Sequence, residues 1–148
     1  MKLTLPPPLR ARIEAEARAA FPRECCGLIE GNRRDGFAEA VAFHVGGNIA
    51  DRDDQFEIRP EDHFAALRRA RDNGRAIIGC YHSHPNGSPV PSEMDHAGAG
   101  EENFIWLIAA LPRAEGPVTV AAFAYCDGGF VSVDLDGPLG ADLVTSSE

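Results

Sequence analysis

From Ala76 to His82 the chain reads AIIGCYH, and Pro85, Pro89 and Pro91 follow at once. No other segment restricts the fold as much. A run built on Ile77, Ile78 and Tyr81, with no charge in it, has no face to give to water, so it is predicted to be a central strand covered on both sides. The three prolines, joined by Asn86, Gly87 and Ser88, force a loop over 85–91. The chain must therefore leave the sheet just after the strand ends.

The rest of the pattern supplies partners for that strand. Leu9, Ile13, Ala17 and Ala20 recur at helical spacing, with Pro7 and Pro8 at the start and Pro22 beyond the end, which predicts a helix over 7–20. A second helix follows Pro60, with Glu61 and Asp62 in its first turn, Phe64, Leu67 and Ala70 along it, and Asn73-Gly74 as its stop. A third starts near Ser92. Strands are predicted over Cys25–Glu30, closed by Gly31 and Asn32, then over Gly36–Val45, Asp54–Ile58, Phe104–Ala110, Val118–Cys126 and Gly129–Leu135. The last two are joined by a turn containing Asp127-Gly128-Gly129. Residues from Gly137 onward show no periodicity and read as an irregular tail. With 148 residues and no repeat, low-complexity block or linker, residues 1–148 are expected to be one domain, an α/β protein with a mixed sheet and helices on its faces.

Charge and composition exclude some partners. A net charge of −9 repels phosphate backbones, so neither nucleic acid nor an anionic membrane is expected to bind. The longest uninterrupted apolar run, Phe104–Leu111, is far too short to span a bilayer. The N-terminal residues hold three prolines and then Arg and Glu where an export signal needs an apolar core, which points to the cytoplasm. In that compartment Cys25, Cys26, Cys80 and Cys126 are expected as reduced thiols, packed as small hydrophobes.

The chemistry concentrates in GCYHSHPNGSPVPSEMD, residues 79–95. His82 and His84 stand two apart at a strand end, so their imidazoles leave the same face and reach one ion. A rigid strand end holds two such ligands at fixed separation. The proline loop folds back and presents Asp95, in the first turn of the next helix, as the third ligand. Three protein ligands leave one tetrahedral position open, the mark of catalytic rather than structural zinc, and water in that position ionises near neutral pH. The reaction implied is hydrolysis. Ser92-x-x-Asp95 also reads as a helix N-cap with its reciprocal acid, a role that competes with the metal for Asp95. The metal is expected to win.

These residues resemble the signature of the JAMM zinc metalloproteases, also called JAB or MPN-plus: an upstream glutamate, then His-x-His-Pro, six residues, Ser, two residues and Asp. Here the glutamate is Glu24 in PRECCGLIEG, and His82, His84, Pro85, Ser92 and Asp95 stand at the family's spacing. The context ECCGLIEG, Asn48, the Phe56-containing segment and Pro60 look similar as well. The resemblance implies that His82, His84 and Asp95 bind zinc. It implies that Glu24 is the general base and that Ser92 donates a hydrogen bond to the developing oxyanion or to the water at the metal. It also implies a three-layer αβα fold similar to cytidine deaminase, with a mixed central sheet flanked by helices. The substrates it implies are peptide or isopeptide bonds at the Gly-Gly tail of a ubiquitin-like or sulfur-carrier protein, the tail docking beside a sheet edge as an added strand.

A non-catalytic module of the same fold that binds ubiquitin-like tails is the alternative, and the complete ligand set argues against it. Cys80 with His82 is a rival nucleophile pair, disfavoured because an apolar strand raises a thiol's pKa. His96 is expected to be a spare surface or supporting histidine, since it projects about 100° around the helix from Asp95. His44 and His63 read as ordinary, Glu101 and Glu102 as a solvated face, and Trp106 as core.

Overall fold

The computed structural model describes residues 1–136. The strands are β1 (Lys2–Thr4), β2 (Cys26–Arg34), β3 (Phe37–Gly46), β4 (Ala76–His84), β5 (Ile105–Ala110), β6 (Thr119–Cys126) and β7 (Gly129–Asp136). The helices are α1 (Pro7–Ala20), α2 (Pro60–Asp72) and α3 (Glu93–Gly98). The tail read over 137–148 lies outside the described residues. No helix among those described is long and apolar enough to cross a membrane.

The expected three-layer αβα sandwich is not what forms. The strands run in the order β1-β3-β2-β4-β5-β6-β7 and close into a barrel. Closure depends on β1, which pairs in parallel with β3 (Lys2 against Phe37) and with β7 (Lys2 against Asp134). Three residues ahead of a proline run are too few to show the alternation that marks a strand, so nothing in the pattern announced it. Its effect is global, because it removes both edges of what would otherwise be an open sheet. The cytidine-deaminase-like layering falls with the open sheet, although helices still pack on both of its surfaces. Ile13 and Ala17 of α1 join Leu3, Leu5, Tyr81 and Leu107 in the larger core cluster. Ala66 of α2 joins Leu28, Cys80 and Trp106 in the smaller one.

Two further expectations need correction. Gly31 and Asn32 do not close β2; the register shifts between Glu30 and Gly31, and the strand continues to Arg34 before turning at Gly36. A bulge absorbs the local signal for a stop. Residues 54–58 form no strand. They belong to an irregular arm over 47–59, tied together by a single bridge between Asn48 and Ile58. The Asn48 amide crosslinks it, donating to the Glu24 and Gln55 carbonyls at 2.9 and 3.2 Å.

The start of β2 is held at close quarters to β4. A Cβ placed on Gly27 would overlap the Tyr81 ring. That ring has little freedom, since its hydroxyl donates to Glu16 at 2.8 Å and its face stacks on Phe43 with centroids 4.6 Å apart. Gly27→Ala is therefore expected to cost about 1–3 kcal/mol of stability through overpacking. Urea unfolding checks this, and an unchanged midpoint would contradict it.

Candidate metal centre

His82 and His84 end β4 with both side chains buried, at 0% and 3% exposure. Ser83 between them faces the opposite way and stitches β4 to the chain entering β2: its Oγ accepts from Cys25 N at 2.8 Å, and its N donates to Cys25 O at 3.1 Å. That seam brings Glu24 to the histidines' end of the barrel. After the proline loop, Ser92 caps α3. Its Oγ accepts from Asp95 N at 3.1 Å, and Asp95 Oδ2 accepts from Ser92 N at 2.9 Å, a complete capping box.

The box aims the Asp95 carboxylate. The same Oδ2 lies 3.2 Å from His82 Nε2 and 3.0 Å from His84 Nε2, and the two Nε2 atoms are 3.0 Å apart. Cap and donor set, treated as competitors in the sequence, thus share one oxygen. Three donors so spaced suit a divalent ion, since bonds of about 2.0–2.1 Å in a tetrahedron put ligand atoms about 3.3 Å apart. His82, His84 and Asp95 form the metal-capable cluster found among the described residues.

Electrostatics follow from burial. Desolvation holds His82 below its ordinary value and hence neutral, the state a ligand needs. Burial pulls His84 the same way, but hydrogen bonds with Asp95 and the Ser88 carbonyl outweigh it and raise the group. Desolvation alone would raise Asp95, yet the two imidazoles hold it well below the usual carboxylate range. Glu24 is 5% exposed, and its Oε1 has no hydrogen-bond partner among the described residues. Burial pushes its pKa up to about 8, moderated by His84 and reinforced by Asp95. A buried, unpaired carboxyl beside a set of converging donors is costly in a metal-free protein.

Two depressions flank the centre. One, of about 530 Å³, is lined by Glu24, His84, Ser92 and the acidic Asp53, Asp54 and Glu93. The other, of about 600 Å³, is largely apolar and lined by Leu28, Phe56, Ile58, Phe104 and Trp106. Met94 borders both. Trp106, expected as core, is buried and walls this groove as well.

The remaining candidates lie elsewhere. Cys80 is buried with its thiol pushed well above its ordinary value by desolvation, so it offers no thiolate. All four cysteines are free, Cys26 and Cys80 buried, Cys25 and Cys126 half-buried. His96 packs edge-on against Phe130, away from the donor set. His44 pairs with the buried Glu30 at 2.7 Å, and His63 borders the apolar groove. Glu101 and Glu102 are exposed, and Glu102 accepts from Asp127 N. The residue that the spacing argument passed over is Phe56, stacked on the His82 ring; a lone phenylalanine in an irregular arm carries no periodic signal.

Comparison with known proteins sets this geometry in context. The family described as prokaryotic homologs of the JAB domain matches residues 6–123. The tail tip assembly protein K of Escherichia phage N15 is 31% identical over 103 residues, 70% of this chain and 39% of that protein. A desampylase of Haloferax volcanii is 32% identical over 89 residues, 60% of this chain and 63% of that protein. The chain thus spans less than two thirds of the length of these curated relatives. Among solved structures, a protein of Desulfitobacterium hafniense determined in solution has a TM-score of 0.80 at 26% identity, covering 90% of this chain and 91% of that one.

Proposed function

Because the chain belongs to the prokaryotic homologs of the JAB domain, we propose that it is a zinc-dependent hydrolase cutting peptide or isopeptide bonds at the C-terminal Gly-Gly tail of a ubiquitin-like or sulfur-carrier protein. The observation that carries this reading is the convergence of His82 Nε2, His84 Nε2 and Asp95 Oδ2 beside the unpaired Glu24 carboxyl. The likeness to desampylases supports a hydrolase of conjugated ubiquitin-like proteins. Four free cysteines accord with a cytoplasmic setting.

His82, His84 and Asp95 would hold the ion. When bound, zinc polarises the scissile carbonyl and acidifies water. Glu24 accepts the proton that the attacking water loses as its oxygen bonds to the carbonyl carbon. It returns that proton to the departing amine as the C–N bond breaks. A carboxyl raised by burial to about 8 holds a proton well enough to deliver it, and a divalent cation beside it would lower that value and favour the form that accepts one. Ser92 uses its oxygen lone pair for the cap and so keeps its O–H free to donate to the oxyanion.

Intact-mass analysis tests the reading on a sulfur-carrier protein with a short extension after Gly-Gly. Loss of the extension, blocked by a chelator and restored by zinc, is the expected result. A zinc-loaded protein that cuts neither this substrate nor a ubiquitin-like conjugate would overturn the hydrolase and leave a tail-binding module.

A further inference from the structure

The two imidazoles of the centre are held by different means. His84 Nδ1 lies 2.8 Å from the Ser88 carbonyl, to which it donates, and that bond fixes the ring with Nε2 toward Asp95. Metal-binding histidines ordinarily fix their ring in this way, by donating the second N–H to an acceptor. His82 does not. Its Nδ1 is buried and has no hydrogen-bond partner among the described residues.

Aromatic contacts surround it instead. Phe56 lies face to face with the His82 ring, centroids 4.4 Å apart and planes 22° from parallel. Trp106 meets the ring edge-on at 5.8 Å and 89°. Trp106 belongs to β5 and is fixed by its pairing with β4, opposite Cys80. Phe56 comes from the arm, outside the barrel, and among the described residues supplies the flat surface that lies near-parallel to the imidazole. Rotation of His82 about its ring torsion is a soft, two-fold motion that a hydrogen bond at Nδ1 would normally stop.

We infer that Phe56 is a positioning residue for the metal centre: its stacked ring takes the place of the missing Nδ1 hydrogen bond and sets the plane in which His82 Nε2 meets His84 and Asp95. The inference rests on the metal-centre reading above and not on the hydrolytic step. It also makes the centre sensitive to the groove, since Phe56 presents one face to His82 and is itself among the residues that line the groove.

A flat ring and an apolar plug are separable by substitution. Phe56→Leu keeps apolar volume and loses the stacking face; Phe56→Tyr keeps the face. The full chain, stripped of metal, is titrated with zinc against a chromophoric chelator, and the Co²⁺-loaded protein is examined by visible absorption. Phe56→Leu is expected to bind zinc about tenfold more weakly, the lower end of what lost ligand support costs, and to alter the Co²⁺ ligand-field bands. Phe56→Tyr is expected to stay within about twofold of the parent with an unchanged spectrum, because the stacked geometry survives. A leucine variant with parent affinity and spectrum would overturn the inference, as would a tyrosine variant that loses as much as leucine. A parent protein that binds neither ion would remove the metal centre altogether, a result distinct from either of these.

Discussion

Glu24→Gln is expected to lower kcat by about 10²–10⁴-fold, the usual worth of a positioned acid–base group, while zinc stays bound. The same substitution is expected to make the metal-free protein more stable at pH 7. Both effects have one cause. The Glu24 carboxyl is buried with Oε1 unpartnered, and desolvation lifts its pKa from 4.5 to about 8. Between those values the unfolded chain has released the proton and the folded protein retains it. Folded protein therefore binds more protons, and stability falls as pH rises through this window. Glutamine, neutral throughout, escapes the loss. At pH 7 the gain is about 1–3 kcal/mol, discounted from the full linkage because the carboxyl borders an open depression.

The pH dependence separates this account from a trivial one. Urea midpoints of parent and variant, measured with chelator present, should coincide near pH 4.5, diverge up to about pH 8, and then run parallel. Two curves offset by a constant amount at every pH would show that the glutamine merely packs better. Full turnover in the variant would remove Glu24 from the mechanism.

How far the sequence led can be judged residue by residue. Periodic and punctuated segments were legible: α1 lies between its prolines, α2 runs from Pro60 to the Asn73-Gly74 stop, and β4 ends in the two histidines. The convergence of His82, His84 and Asp95 was legible too, because strand alternation puts both histidines on one face and the proline loop returns the chain to them; the capping box, read as a rival for Asp95, instead shares its oxygen. What escaped was non-local. β1 has too few residues to show a pattern, and its meaning lies in partners such as Phe37 and Asp134, far along the chain. Barrel closure was lost with it. Gly31 carries a turn residue's signal but sits at a bulge, where β3 and β4 hold the strand in place. The Phe56 segment looked like a strand because its composition is strand-like, whereas its aromatic ring is spent on His82 rather than on a ladder.

Asp95 tests whether cap and donor are the same group. Burial alone would keep its carboxyl neutral, but the imidazoles of His82 and His84 and the Ser92 N–H lower its pKa. A depressed carboxylate contributes stability that is present above its unfolded value of 3.8 and is lost as pH falls through the lower folded value. Asp95→Asn keeps an oxygen able to accept from Ser92 N, so α3 starts as before, but it removes the negative charge. Asp95→Ala removes both. Each variant is expected to bind zinc at least about a hundredfold more weakly, since losing a ligand exceeds the loss of its supporting contacts. In metal-free protein at pH 7, however, alanine should be less stable than asparagine by about 1 kcal/mol, the worth of the one hydrogen bond from Ser92 N that it loses, since Ser92 Oγ still accepts from the backbone N of residue 95 in both. Chelator competition reads the first difference and urea unfolding the second. Equal stability of the two would detach the cap from the carboxylate, and parent-like zinc binding by asparagine would remove Asp95 from the donor set. If both differences appear, the capping box has a chemical consequence: the backbone N–H of Ser92 fixes the direction of Oδ2 before any ion arrives, so the ordering cost of the third ligand is met by folding rather than by binding.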